Sequence, residues 1–458
     1  MGGVPDLEVT GGGGGAVRAA AAAAAGAAAD VAAAVRGASG VLPTAYVRSD
    51  ITPSGVGTGD GAAKGVGDGA ASVAVNGATS AATSVAAGGA RVALDAAPEI
   101  ATRDSRLAAV WAKIRAGRRL DLADGLACLE SHDLLALGRM ADAVNRARNG
   151  DRVMFVVNRQ LNPTNLCILD CKFCDFAARK GDAHAYEMSM DEMLARITPD
   201  LREVHIVGGL HPTWRFDDYL AIMNAIKAKS PAIQIKAWTA VEVDWFARIA
   251  RTSIESVLER LVEAGLDTLP GGGAEVFSDR VQEILFKPKI GADRWLEVHQ
   301  IAHRMGIRSN ATLLYGHVET YEERVVHMMR LRDLQDETGG FLAFIPLAFQ
   351  PGNTGIVERQ ASSIEDLRTV ATSRLVLDNF PHVKSYWVML GEGTAQVALH
   401  FGASDLDGTI GEERIAHYAL AGSALGHAKE EIVRMIREAG KVPVERDARY
   451  NEVGVEIA

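Results

Sequence analysis

NPTNLCILDCKFCDF, residues 162–176, gathers three of the chain's four cysteines into eight residues, Cys167, Cys171 and Cys174, spaced C-x3-C-x2-C. A 4Fe-4S cluster has four iron corners and takes four thiolates when fully ligated, so three cysteines on one tight loop leave one iron free to bind a substrate. Zinc is the competing reading. Closed zinc sites use four ligands in paired units, and no second pair follows at the usual distance. A non-enzymatic iron–sulfur carrier needs only the cluster, and usually four cysteines. Cys128, the fourth, reads as a small buried hydrophobe.

Outward from this loop the chain alternates short β-rich runs with longer helical ones, the pattern of a parallel sheet with crossover helices. Eight such runs can be counted: 153–159, 203–209, 233–239, 267–272, 309–316, 341–349, 383–390 and 397–408. Eight βα units favour a closed (β/α)8 TIM-type barrel, with an open doubly wound sheet as the alternative. Cys167 follows the first run by eight residues, which places the cysteines in the first βα loop, at the catalytic end of such a barrel. Further signals fall at equivalent loops: Gly208 and Gly209 after the second run, Gly271, Gly272, Gly273 and Glu275 after the fourth, His317 and Glu319 after the fifth. Glycines there admit close approach of a ligand to the backbone, although a triple glycine is also an ordinary turn.

Residues 1–100 differ from the rest. Half are Gly or Ala and the only aromatic is Tyr46, so the segment reads as a disordered extension whose removal leaves folding intact. It lacks the basic, strongly apolar pattern of a signal peptide and the Arg-rich, acid-poor pattern of a transit peptide. Residues 101–151 read as lead-in helices, with Asp104, Asp121 and Ser131 as N-caps and Gly150 as a stop, and residues 152–445 as the barrel with its C-terminal helices. No run reaches the roughly 18 strongly apolar residues of a membrane span. Few cysteines and oxygen-sensitive iron chemistry point to a reducing cytoplasm. A net charge of -10 and the lack of basic runs with interleaved aromatics argue against a nucleic-acid partner.

The cysteine loop, with Phe173 just before its last cysteine, resembles the signature of radical S-adenosylmethionine enzymes. Together with IVGGLHP, IKAWTAVEV, GGGAEVF, SNATLLYGHVET, FIPLAFQPGNT and FGASDLDGTIGEERIAH, it is similar to the aminofutalosine synthase branch of the menaquinone pathway through futalosine. Cyclic dehypoxanthinylfutalosine synthase and the deazaflavin-forming FO synthase are sister branches sharing several of these motifs. Gln350, Gly352 and Ser404 stand where the family pattern has His, Glu and Asp. Leu210 replaces the acid of the family's GGE-like turn.

The resemblance implies three cysteine ligands to a 4Fe-4S cluster, with S-adenosylmethionine as co-substrate. It places Phe173, Gly208, Gly209, Gly272, Gly273 and Glu275 at the cofactor and His317, Glu319 and His211 in the chemistry. It further implies addition of the 5'-deoxyadenosyl radical to the alkene of an aromatic carboxylate, 3-(1-carboxyvinyloxy)benzoate, and an electron donor such as flavodoxin or ferredoxin. Lys236, His211, Arg308 and His317 are the basic candidates for the substrate carboxylates, with Trp238 and Tyr315 as walls for the arene.

Overall fold

The computed structural model describes residues 99–453, so the Ala/Gly-rich extension expected at 1–100 lies outside the described residues but for its last two positions. Three helices lead in, Ser105–Arg115, Leu122–Glu130 and Leu134–Asn149. Asp104 and Asp121 cap the first two as expected, and each such cap is worth about 1 kcal/mol. The third is capped by Asp133 and not by Ser131, whose hydroxyl accepts from the Asp133 N–H. Gly150 ends it at a φ of 64°. These helices lie against the outer helices Tyr321–Thr338 and Ser363–Val376, and Gly125 and Gly138 leave no room for a Cβ beside Val325 and Phe401.

The first run of the barrel divides at Val157 into β1 (Arg152–Val156) and β2 (Asn158–Leu161). With β3 (Glu203–Ile206), β4 (Gln234–Ala237), β5 (Leu266–Leu269), β6 (Arg308–Tyr315), β7 (Phe341–Ala348) and β8 (His382–Val383), β2 forms a curled seven-stranded parallel sheet in the order β2-β3-β4-β5-β6-β7-β8. β9 (Asp405–Gly408) bridges its two edges. The Ser404 N–H donates to Val383 O and the Ser385 N–H to Asp405 O at 2.9 and 2.8 Å, while β9 pairs in parallel with β1 on its other side. Backbone hydrogen bonds therefore link β8, through β9, back to the first strand.

The last two runs are shorter as strands than their composition suggests. Of 383–390, residues Trp387–Leu390 are helical; of 397–408, only Asp405–Gly408 are strand, after the helix Glu392–Ala398. Tyr386 and Gly391 fall between these pieces, and Gly391, at a φ of 76°, starts the second helix in a conformation that favours glycine. β10 (Val442–Glu445), absent from the sequence reading, adds to β1 below β3 and brings Arg446 into the barrel. The barrel floor is consequently charged. Lys236 Nζ pairs with Glu203 at 2.7 Å, Arg446 Nε with Asp405 at 2.8 Å, and Lys384 Nζ with Asp407 at 3.2 Å. Burial pushes the Glu203 carboxyl up, but Lys236 and Arg446 beside it hold it at about 2. Such charges are tolerated inside because each has a partner. Among the described residues no helix is long and apolar enough to cross a membrane.

Candidate functional site

The cysteine loop leaves β2 and is tied down from several sides. The Cys167 N–H donates to Ala178 O at 3.1 Å, the Ile168 N–H to Leu210 O at 2.9 Å, and the Lys172 N–H to Leu285 O at 2.8 Å. Phe173 packs edge-to-face on Phe286, with ring centroids 6.0 Å apart. All three cysteines, together with Phe173, face one cavity of about 310 Å³ at the C-terminal ends of the strands. Backbone donors aim at the sulfurs: the Leu210 N–H lies 3.4 Å from Cys167 Sγ, and the amides of Ala177 and Phe176 serve Cys174. Burial pushes the Cys171 thiol up to about 12 and raises that of Cys174, and a bound metal would favour the thiolate at both. Amides aimed at sulfur in a half-buried loop suit a polynuclear iron site, whose potential depends on such contacts. Among the described residues, no three His, Cys, Asp or Glu side chains are grouped as a single ion would require. Cys128 lies apart from the cavity, wholly buried in the core.

The glycine turns meet at the same cavity. A Cβ on Gly209 would come within 2.3 Å of Leu166 O, and one on Gly271 within 2.7 Å of the Ala311 backbone, so close packing excludes any side chain at either. Gly273, with a φ of +88°, needs glycine for its conformation. Gly208, Gly209, Gly272 and Gly273 all line the cavity. Beside the turn that carries Leu210 stands Glu242, whose Oε1 accepts the Gly208 N–H at 3.0 Å. Burial pushes the Glu242 carboxyl up to about 7. Glu275 also lines the cavity, in a left-handed conformation at a φ of 47°, and pairs with Lys289, a residue the sequence reading did not single out.

The proposed catalytic residues sit elsewhere. None of His317, Glu319 and His211 lines the cavity. Glu319 accepts the Gly316 and His317 N–H groups at 2.7 and 2.9 Å and the Arg324 guanidinium at 2.7 Å, while His317 Nε2 lies 3.0 Å from Leu314 O. They form a buried brace for the turn after β6. His211 stacks on Trp214, accepts the Thr213 and Trp214 N–H groups through Nδ1, and presents Nε2 to Glu187 at 3.1 Å.

Of the four basic candidates only Lys236 reaches the cavity, and Glu203 already neutralises it. Arg308 opens β6 at the opposite end of the barrel, where it is exposed and donates to Gly339 O. Neither aromatic wall is where it was expected. Tyr315 turns outward to donate to Asp366 at 2.7 Å, and Trp238 packs on Tyr219 and Phe246 in the core. Phe176, Phe349 and Tyr386 supply the rings instead.

Polar side chains that the sequence reading passed over line the cavity in pairs two residues apart: Asn158 and Gln160 on β2, Glu203 and His205 on β3, Asn310 and Thr312 on β6. That spacing is the inward face of a strand, and polar residues repeating on it within apolar runs were a legible signal. His205 Nε2 and Asn310 Oδ1 are buried there without a hydrogen-bond partner. Burial, with Lys236 next in weight, holds the His205 imidazole neutral at about 3.

Comparison with known proteins agrees with this geometry. The Radical SAM superfamily profile matches residues 161–331, and that of the CofH/MqnC C-terminal region residues 338–456. Aminodeoxyfutalosine synthase of Thermus thermophilus is 46% identical over 362 residues, 77% of this chain and 97% of that protein. Cyclic dehypoxanthine futalosine synthase of Streptomyces coelicolor is 36% identical, over 77% of this chain and 90% of that protein. The solved structure of methylornithine synthase superposes with a TM-score of 0.59 at 16% identity, covering 73% of this chain and 97% of that one, a likeness of fold alone. With its three-cysteine loop opening onto the barrel's cavity and this extent of identity, the chain belongs to the aminodeoxyfutalosine synthase family of radical S-adenosylmethionine enzymes.

Proposed function

We propose that this enzyme joins the 5'-deoxyadenosyl group of S-adenosylmethionine to the alkene of 3-(1-carboxyvinyloxy)benzoate, giving 6-amino-6-deoxyfutalosine, methionine and bicarbonate. A 4Fe-4S cluster, which the radical SAM family uses, supplies when bound the electron that cleaves the sulfonium. Cys167, Cys171 and Cys174 would hold it, and an electron donor of the flavodoxin or ferredoxin kind would reduce it. One observation carries the reading: the three cysteines, the glycine turns with Glu242, and a wall of aromatic rings surround a single cavity. In it a new bond can form between two bound molecules held in near-attack geometry.

The chain's own residues divide the work. Gly208 and Gly209 keep the backbone bare beside the cysteine loop, and Glu242 places an acid there for the amino group of S-adenosylmethionine. Phe349 and Tyr386 shape the wall for the arene. Lys236 and Lys384 are already paired with carboxylates, so the substrate's carboxylates are met chiefly by neutral donors, Gln160 and His205, while Asn310 Oδ1 is free to accept from a bound donor. Neutral donors limit the desolvation penalty of placing a dianion in a cavity that also carries several acids.

The test is anaerobic incubation of the reconstituted, reduced enzyme with S-adenosylmethionine labelled in its adenosine and the carboxyvinyloxybenzoate. Label should appear in a larger nucleoside, with methionine released in equal amount. The CofH/MqnC-type C-terminal region favours one second reading, the sister cyclase. Conversion of all label to 5'-deoxyadenosine during turnover of dehypoxanthinylfutalosine would establish it and refute addition.

A further inference from the structure

We propose that Lys289, held between Glu275 and the Phe173 ring, is the positioning residue that sets the charge beside the cysteine loop, and with it the potential at which a cluster bound there accepts its electron. The inference rests on the reading that the three cysteines hold that cluster. Lys289 lies between the helices Asp279–Leu285 and Ala292–Arg304, and its backbone is fixed at both ends: its N–H donates to Phe286 O and its carbonyl accepts the Gln282 side-chain amide, each at 2.9 Å. From there the ammonium reaches into the cavity and sits 5.4 Å from the centroid of Phe173, the residue immediately before Cys174. Its partner Glu275 comes from the loop after β5, and the two side chains are 12% and 11% exposed.

Two features separate this pair from an ordinary buried ion pair. Glu275 adopts a left-handed backbone that side chains rarely take, a conformation the surroundings must impose, and its carbonyl accepts the Leu314 N–H at 2.8 Å. The pair also shares its cavity with the cysteines: Lys289 and Glu275 line it together with Cys171, Cys174 and Phe173. In a poorly screened site a nearby cation favours the more negative, reduced state of a cluster and raises its potential, whereas a nearby anion lowers it. Lys289 and Glu275 should therefore act on the potential with opposite signs.

The experiment compares the parent enzyme with Lys289→Met, Lys289→Arg and Glu275→Gln after anaerobic reconstitution. Iron and sulfide are counted, and the midpoint potential is measured by EPR-monitored titration without S-adenosylmethionine. Lys289→Met should shift the potential negative, Glu275→Gln should shift it positive, and Lys289→Arg should stay near the parent. Shifts of the same sign in Lys289→Met and Glu275→Gln, or unchanged potentials with full clusters, overturn the inference. So does an unchanged potential accompanied by weakened binding of S-adenosylmethionine, which would make Lys289 a contact of the co-substrate's carboxylate. If Lys289→Met assembles no cluster, the sign of the shift in Glu275→Gln decides alone. No substrate is needed, so a failed product assay leaves this result standing.

Discussion

The turn after β6 and the inner wall of the barrel both bury polar side chains, and they treat them differently. At the turn, Glu319 collects two backbone N–H groups and the Arg324 guanidinium, and Arg324 reaches on to Glu365 at 2.5 Å. On the wall, His205 Nε2 and Asn310 Oδ1 have no partner although both are buried. A buried polar atom without a partner forfeits about 1–3 kcal/mol. Where such atoms face a cavity a ligand can complete them, whereas fully paired groups brace the chain itself. Hydrogen-bond satisfaction therefore separates the two regions although both hold His and carboxylate or amide groups.

The comparison can be broken most severely at the cysteines. Replacing Cys167, Cys171 or Cys174 with Ala should abolish the iron–sulfur chromophore and product formation together, as iron analysis and the labelled-product assay would show. A variant at any of the three with full iron and turnover would remove the cluster from this cavity.

Next in size is the brace. Burial pushes the Glu319 carboxyl up, but His317 and Arg324 hold it down at about 2, against an ordinary value of 4.5. A depressed carboxyl contributes stability that is fully present above its unfolded pKa and is lost as the pH falls through the folded one. Glu319→Gln should accordingly cost on the order of 3 kcal/mol at pH 7, and the difference from the parent should shrink between about pH 4.5 and 2. Denaturant unfolding across that range checks it. The folded variant should still bind its cluster and turn over. A kcat loss of a hundredfold without a stability loss would place Glu319 in the chemistry after all.

On the wall the signs reverse. Asn310→Ala and His205→Phe should lower kcat/KM by about tenfold to a hundredfold, the value of one lost hydrogen bond to a charged group, and leave thermal stability nearly unchanged. Label should shift from the nucleoside product toward free 5'-deoxyadenosine. A large fall in Tm with intact kinetics would put these residues with the brace. Because His205 is already neutral, its loss should remove no ionisation between pH 6 and 8 from the rate profile.

The smallest effect is expected at Cys128, which shares no contact with the cavity. Cys128→Ala should cost about 1 kcal/mol for the lost packing, with iron content and rate unchanged. Thermal unfolding and iron analysis together check both halves of that statement.

The C-x3-C-x2-C spacing and the alternation of β-rich with helical runs were enough to place the three cysteines in the first βα loop of a parallel barrel, because motif spacing and strand periodicity are local properties of the chain. The glycines at 208, 209, 272 and 273 were legible for the same reason: a turn that must stay bare is written where it occurs. That His317, Glu319 and His211 lie outside the cavity was not legible, because residue type shows what a group can do and not which way its side chain points. Tyr315 and Trp238 lie near the ends of β6 and β4, yet packing turns them away from the cavity. Lys289 and Glu242 were passed over because each acquires its setting from a partner 14 and 34 positions away, Glu275 and Gly208. Closure through β9, the covering of the floor by β10, and the meeting of Lys236, Glu203, Arg446 and Asp405 inside the barrel involve residues hundreds of positions apart. Only the folded chain brings them together, since the desolvation that makes such charges seek one another arises when the barrel closes around them.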